Sequence, residues 1–412
     1  MQIKRFVISR DQVWIRVTSL TSVLFFIYFS DALLSYWVPV FIQDTTNSAV
    51  WMGFILGFSS IVGLLADIVL PQMFKNVSSV KLIILAAVTS FAFSGFMLSA
   101  TWFPYVFVFL IGMAVWGIYY EFLGFATQQF VANSVPSALH ASTWAFISTF
   151  RSLAYTLGPF VAGLLLKWGD RQMIIFAITL AVVGYYLILL FGMTKSVEEK
   201  VSFKHINFTA EVGHWIALFW RVWPVVVLSL LVGTVEAIFW TVGAVYADML
   251  SETSWLGGLF LSVYMAPSLF MGFWVMRLNI VSGKKRKATM SLAASGLLLA
   301  MLGISDSVFL ILLLVFISSC LSAFSYPLID AVYSDVIARM GRQRLHLVGL
   351  TNSATSVSYI IGPMLGGLIA SQFGEKMTFS VVGGAMSVMC LMLFFVLPKK
   401  LKLPQKQIER WK

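Results

Sequence analysis

The chain has 412 residues, of which 59% are hydrophobic and 11% are charged. A soluble domain carries about 25% charged residues, so this composition excludes an ordinary water-soluble fold and indicates a protein embedded in a lipid bilayer. Its two cysteines, Cys320 and Cys390, both lie in apolar segments, which argues against a disulfide framework or a cysteine-based metal site.

Long apolar segments follow one another along the whole chain, and about 20 apolar residues are enough to cross a bilayer. The first segment is too long for a cleaved signal peptide, whose apolar core has about 7–15 residues, so it is predicted to be a transmembrane helix. In chain order the twelve predicted spans are 13–42, 50–74, 81–100, 103–131, 138–166, 171–193, 217–247, 254–278, 288–305, 307–338, 345–372 and 377–397.

The basic residues predict the orientation of these spans. An even number of spans places both termini on the same side, and 24 of the 28 Lys and Arg residues fall at the termini or in the loops of that side. Lys167, Arg171 and Lys376 fall on the other side, and Arg151 lies inside a span. Because cytoplasmic loops collect Lys and Arg, both termini are expected to be cytoplasmic. The net charge of +11 then reflects topology and anionic lipid rather than nucleic acid.

A repeat divides the chain into two halves. A shift of 204 residues superimposes five residues of one apolar segment on identical residues of another, and it also superimposes Trp51 and Gly53 on Trp255 and Gly257. The five matched pairs are Tyr155 with Tyr359, Gly158 with Gly362, Pro159 with Pro363, Gly163 with Gly367 and Leu164 with Leu368. Two parallel halves of six spans are a transporter architecture.

The predicted fold is therefore an all-α membrane protein with two pseudo-symmetric six-helix bundles. The N-terminal bundle is assigned to residues 1–194 and the C-terminal bundle to residues 215–412. The polar stretch 195–214 is read as a cytoplasmic linker.

Four acidic residues lie well inside predicted spans, where a charge costs about 2.5–3.5 kcal/mol on insertion scales. They are Asp31, Glu121, Glu236 and Asp330, in spans 1, 4, 7 and 10. Residues that bear this cost usually face a water-filled cavity and bind protons or substrate, although each could also be a hydrogen-bonded structural carboxyl. Glu236 and Asp330 are the first choices for proton carriers, because neither has an obvious basic partner in the sequence.

Arg151 lies near the centre of span 5 and has two readings. It either forms a buried ion pair with Glu121 or binds substrate. Aromatic residues flank the acids, and an acid beside an aromatic face suits a lipophilic cation. The predicted aromatic cavity residues are Tyr36, Tyr120, Trp240 and Tyr326.

The glycines and prolines of the repeat are expected to act mechanically. Glycine lets two helices approach closely, and proline deletes one helical hydrogen bond and allows a kink. Spans 5 and 11 would then bend during a conformational cycle, with ordinary close packing as the alternative. The predicted conformational residues in these spans are Gly158, Pro159, Gly163, Gly362, Pro363 and Gly367.

The duplicated plan resembles the major facilitator superfamily over essentially the whole chain. Gly63-Leu-Leu-Ala-Asp67, followed by Lys75, matches part of the signature after span 2, although the usual Gly-Arg-Arg is missing. The segment from Tyr155 through Gly158-Pro159 to Gly163 is similar to the span 5 signature of the drug–proton antiporter branch. That branch usually carries an Arg four residues before a Gly in span 4, and here Met113 stands four residues before Gly117.

This resemblance implies that spans 1, 4, 7 and 10 line a central cavity and that Gly63 and Asp67 form part of a conformational latch. It also implies proton-coupled export of small organic compounds, amphipathic or cationic, by alternating access. An importer or uniporter of a polar metabolite, such as a sugar or an organic acid, is the alternative, in which Arg151 would bind an anionic group.

Other functions find no support in the sequence. There is no phosphate-binding loop of the Gly-x-x-x-x-Gly-Lys-Ser/Thr type and no His-Glu-x-x-His motif, so neither ATP hydrolysis nor metalloenzyme chemistry is expected. A membrane enzyme or a passive scaffold built on a transporter fold is a third reading, and it is disfavoured because the sequence shows no nucleophile–base or metal constellation. The expected partners are a small-molecule substrate, protons and membrane lipid, with no cofactor. A monomer in the bacterial cytoplasmic (inner) membrane is expected.

Overall fold

The computed structural model describes residues 10–73, 79–136, 139–165, 169–190, 208–278, 282–337, 339 and 344–398, and within these ranges the regular secondary structure is helical. The all-α prediction is confirmed. In a bilayer a helix satisfies its own backbone hydrogen bonds, which is why long apolar segments adopt this form. The helices are α1 Arg10–Thr46, α2 Ala49–Met73, α3 Ser79–Ala100, α4 Val106–Ser134, α5 His140–Leu165, α6 Asp170–Leu190, α7 Phe208–Trp240, α8 Val242–Thr253, α9 Phe260–Met265, α10 Met271–Arg277, α11 Lys284–Ala300, α12 Val308–Ile337, α13 Arg344–Phe373 and α14 Glu375–Val396.

Eleven helical segments in the described ranges are long and apolar enough to cross a membrane. The predicted fifth span corresponds to α5, which has 26 residues but falls outside this set. Arg151 and several Ser and Thr residues lower the mean hydropathy of α5, so composition alone does not mark it as a span. Most of the predicted linker, 195–207, lies outside the described residues, and α7 is already helical from Phe208 onward.

The predicted spans 7 and 8 differ from the structure because the helix is interrupted in both. Span 7 was expected to be continuous over 217–247, but helical geometry stops at Thr241, whose φ is −113° and ψ is −84°. The Thr241 hydroxyl donates to the carbonyls of Ala237 (2.9 Å) and Ile238 (3.2 Å). A threonine that bonds back to the preceding turn in this way bends a helix.

Span 8, predicted over 254–278, consists of short pieces. A 3-10 turn over Gly257–Leu259 precedes α9, and a second 3-10 turn over Ala266–Leu269, containing Pro267, separates α9 from α10. Proline has no N–H to continue an α-helical ladder, which explains the second interruption. Gly257 packs against the backbone of Leu250, where a side chain would clash.

The chain divides into two compact units that do not coincide with the two sequence halves. Unit 1 holds the described residues within Met1–Leu34 and Leu65–Ser202, and unit 2 holds those within Ser35–Leu64 and Phe203–Lys412. Inside unit 2, Gly53 of α2 lies directly against the carbonyl of Pro363 on α13, and the backbone of Ala49 lies against Gly367. The start of α2 therefore packs on α13 through glycines from both helices.

A serine cluster fastens α11 to α12 in unit 2. The Ser295 hydroxyl lies 2.8 Å from the hydroxyls of both Ser318 and Ser322 and donates to the Ser318 carbonyl at 2.9 Å. All three serines are buried. Hydroxyl contacts of this kind bind helices together in a bilayer, where apolar packing against lipid gives no net driving force.

Replacing Ser295 with Ala is expected to lower the free energy of unfolding by about 1 kcal/mol, because the central hydroxyl of the cluster is lost. Thermal unfolding in detergent measures this. Ser371→Ala is the matched control, since that exposed hydroxyl bonds within its own helix and its loss should leave Tm unchanged. Equal Tm values for the two variants would show that the cluster does not fasten α11 to α12.

Candidate functional site

Asp31 is the centre of a hydrogen-bonded cluster in unit 1. Its carboxyl accepts a hydrogen bond from the Trp116 indole at 3.0 Å, and the Tyr120 hydroxyl lies 3.0 Å from both of its oxygens. The Tyr155 hydroxyl donates to Asp31 Oδ2 in a short contact. The residue is 3% exposed. Three helices, α1, α4 and α5, therefore meet at one carboxyl group.

The donors of this cluster are positioned by helix geometry and ring packing. Trp116 and Tyr120 are one turn apart on α4, so both present to the same neighbour, and their rings stack with centroids 5.7 Å apart. The ring of Phe93 on α3 also stacks on the Trp116 ring, with centroids 4.3 Å apart. On α1, the ring of Tyr28 lies 6.2 Å from that of Tyr155. The side chains that donate to Asp31 are thus held in place by packing between aromatic rings.

The chemistry of this arrangement follows from the donors, which are an indole and two phenols and therefore neutral. Their hydrogen bonds favour the ionised carboxylate, whereas burial favours the protonated acid. These two effects oppose each other at the same group. A carboxyl placed in this way can take up or release a proton when its surroundings change.

Unit 2 carries a second carboxyl cluster around Glu236, which is half-buried on α7. The Tyr326 hydroxyl of α12 donates to Glu236 Oε2 in a short contact. The charge of Glu236 also acts on the hydroxyl of Tyr264 on α9. The hydroxyl of Tyr326 interacts electrostatically with that of Tyr359 on α13. The ring of Tyr264 stacks on Phe239 with centroids 3.7 Å apart and planes 7° apart.

The same kind of helix contact, between an alanine and a glycine, occurs beside each of the two carboxyl clusters. In unit 1 the residue after the acid, Ala32, lies against Gly158, whose added Cβ would come 3.3 Å from the Ala32 Cα and closer still to its Cβ. In unit 2 the residue after the acid, Ala237, would lie 2.6 Å from a Cβ added at Gly362. Gly158 and Gly362, one matched pair of the sequence repeat, are therefore positions at which α5 packs on α1 and α13 packs on α7.

Three more of the predicted charged residues lie on the same helices. Glu121 is half-buried on α4, next in sequence to Tyr120. Arg151 is exposed on α5, one turn before Tyr155, and its charge acts on the Tyr28 hydroxyl. Asp330 is exposed on α12, one turn after Tyr326. The ion pair between Glu121 and Arg151 stays a prediction, as do the roles of all three residues.

The predicted aromatic residues differ in their surroundings. Tyr120 and Tyr326 contact the acids directly. Trp240 is 9% exposed at the end of α7. Tyr36 is fully buried, and its hydroxyl has no hydrogen-bond partner among the residues that the structure describes. The charge of Asp248 acts on this hydroxyl.

The remaining conformational residues lie in the expected helices. Gly63 is buried in α2, Pro159 is buried in α5, and Gly163 is half-buried in α5. Asp67 belongs to α2, but its side chain lies outside the described residues. The latch assigned to Gly63 and Asp67 therefore stays a prediction.

Sequence reasoning missed three residues that contact or approach the acids. Trp116 and Tyr264 were not singled out, and Tyr155 was noted for the repeat but not for binding. The spacing of Trp116 and Tyr120 was a usable signal, because residues four apart share a helix face. Tyr264 gave no such signal, since its position depends on the interruptions of span 8.

Comparison with known proteins identifies the fold. Residues 226–412 match the sequence model of the Major Facilitator Superfamily. The structure is similar to that of a D-xylose–proton symporter, with 15% identity, a TM-score of 0.70, and coverage of 96% of this chain and 100% of the other. No sequence among curated proteins matches the chain significantly.

Two further solved structures agree. A bacterial homologue of the human lysosomal transporter Spinster, inward-facing and unoccupied, has 12% identity, a TM-score of 0.70, and coverage of 94% of this chain and 97% of the other. The nucleoside transporter NupG has 14% identity, a TM-score of 0.70, and coverage of 92% and 98%. The chain therefore has the major facilitator fold and is an integral, multi-pass membrane protein.

The junction at Gly158 yields a direct test. Gly158→Ala should lower the free energy of unfolding by about 1–3 kcal/mol, because the added methyl overlaps Ala32. Adding Ala32→Gly should restore much of the loss by making room. Thermal unfolding of the single and double variants measures both effects.

Gly124→Ala is the matched control for this test, since a Cβ at that α4 position meets nothing within 4 Å. A double variant that is no more stable than Gly158→Ala alone would contradict the proposed packing of α5 on α1.

Proposed function

We propose that this chain is a major facilitator superfamily member that works as a secondary active transporter, coupling the movement of small organic compounds to protons by alternating access. The observation that carries the proposal is the buried Asp31 carboxyl held by neutral donors, together with the Tyr-bonded Glu236 in the other unit. Ionisable groups inside membrane helices mark ion and substrate pathways, and the side chains that donate hydrogen bonds to these two carboxyls within the described part of the chain are neutral.

We further propose that the transported compounds are exported and are amphipathic or cationic. Both acids stand among aromatic rings, and the combination of a negative carboxylate with ring faces attracts lipophilic cations. The antiporter-like segment from Tyr155 to Gly163 supports the same direction of transport.

A second candidate is the proton-coupled import, or the uniport, of a polar metabolite such as a sugar or an organic acid. The similar structures include a D-xylose–proton symporter and a nucleoside transporter, which supports this reading. Phenol and indole groups at the acids also suit hydroxyl-rich solutes. In this reading the exposed Arg151 would bind an anionic group on the substrate.

Proteoliposomes with an internal pH indicator distinguish these candidates. The export reading predicts that a lipophilic cation, such as a cationic dye, moves protons across the membrane in the direction opposite to its own movement. A sugar or nucleoside that moves together with protons would contradict export and support symport. Counterflow of a solute that is independent of any pH gradient would support uniport.

Glu236→Gln is expected to reduce gradient-driven transport to the level of empty liposomes while leaving the protein folded, because glutamine keeps the shape of the side chain but cannot take up a proton. Tracer flux under an imposed pH gradient measures transport, and gel filtration with thermal unfolding checks the fold.

Glu252→Gln is the matched control for this variant, because Glu252 is exposed near the end of α8 and its loss should leave the flux unchanged. Undiminished gradient-driven flux in Glu236→Gln would exclude Glu236 as a proton carrier.

A further inference from the structure

The acid cluster of unit 1 lies beside the proline of α5, where one helical hydrogen bond is missing. Pro159 has no N–H, so it cannot donate the helical hydrogen bond to the carbonyl of Tyr155 four residues earlier. Proline in a helix interior destabilises the helix and commonly kinks it. The Tyr155 side chain, at the same point of the helix, is bonded to Asp31 on α1.

A second contact between the same two helices lies next to this hydrogen bond. Ala32 follows Asp31 on α1, and Gly158 follows Tyr155 by three residues on α5, so the two backbones touch beside the hydrogen bond. Because Gly158 has no side chain, it forms no side-chain hydrogen bond that could hold α5 against α1. The Tyr155 hydroxyl is therefore a polar link that joins the part of α5 around Pro159 to α1.

The strength of this link depends on the charge of Asp31. A hydrogen bond from a phenol to an ionised carboxylate is roughly twice as strong as one between neutral groups. When a proton binds the carboxyl, that group becomes a donor at one oxygen and keeps fewer acceptor positions. Trp116, Tyr120 and Tyr155 can then no longer all donate to it at full strength.

We infer that Tyr155 is a positioning residue that couples the protonation of Asp31 to the attachment of α5 at its proline break. With Asp31 ionised, Tyr155 holds α5 against α1. With Asp31 protonated, the link weakens, and α5 can bend at Pro159. The inference deepens the proposed proton-coupled function, since it names the structural element that responds when the proton binds.

The other groups around Asp31 bear on the design of a test. The charge of Asp31 acts on the hydroxyls of three further tyrosines, which are Tyr28 on α1, Tyr119 on α4 and Tyr185 on α6. The charge of Arg151 on α5 also acts on the Tyr28 hydroxyl. The phenols are neutral across the range from pH 5 to pH 8. A pH response of α5 in this range that vanishes in Asp31→Asn therefore originates at Asp31.

The test is amide hydrogen exchange along α5, measured by mass spectrometry on the full chain in lipid nanodiscs at several pH values. Exchange is expressed as a protection factor, which removes the intrinsic pH dependence of the chemistry. In the wild type, protection of the segment from Arg151 to Ala162 should fall severalfold as the pH is lowered. Tyr155→Phe should show low protection at every pH, and Asp31→Asn should behave in the same way.

Tyr186→Phe, which removes an exposed hydroxyl on α6, is the matched control and should keep the wild-type response. Thermal unfolding checks that each variant folds. Tyr155→Phe with wild-type protection and wild-type pH response would overturn the inference, as would a wild-type α5 whose protection does not change with pH. The experiment needs no substrate, so its outcome is independent of whether Glu236→Gln abolishes transport.

Discussion

A carboxyl group inside an apolar helix bundle must be matched by hydrogen-bond donors or by a proton, and this requirement organises the structure. Asp31 is buried, and the partners that reach it are the N–H of an indole and the hydroxyls of two phenols. Because each donor comes from a different point on α4 or α5, satisfying one side chain fixes the positions of two helices relative to α1. Packing and chemistry thus depend on the same group.

Both halves contain the contact between an alanine and the glycine of a Gly-Pro pair, but the surroundings of the adjacent acid differ between them. In both, an acid is followed by alanine, and that alanine packs on the glycine of a Gly-Pro pair. The first acid lies on the continuous helix α1 and is enclosed by donors. The second lies on α7, five residues before the helix stops at Thr241, and is half-buried. The two carboxyls therefore differ both in burial and in the hydrogen-bond donors around them.

Much of the helix plan could be predicted, because the length of apolar segments and the spacing of Gly158 and Gly362 are encoded locally. The acids could be found because a charge in an apolar segment is unusual. The break at Thr241 could not, since a threonine inside an apolar run also fits an unbroken helix. Nor could the grouping of Ser35–Leu64 with unit 2, which depends on contacts such as that between Gly53 and Pro363. The donor set of Asp31 likewise requires the three-dimensional arrangement of α4 and α5.

The central claim is that the carboxyls of Asp31 and Glu236 change protonation in the working range of the protein. Infrared difference spectroscopy during a pH titration of the protein in lipid tests this directly, because the carbonyl stretch of a protonated carboxyl group is separate from that of a carboxylate. The account predicts a carboxyl signal that appears as the pH falls and is reduced in Asp31→Asn, in Glu236→Gln and most in the double variant. An undiminished signal in the double variant would contradict it.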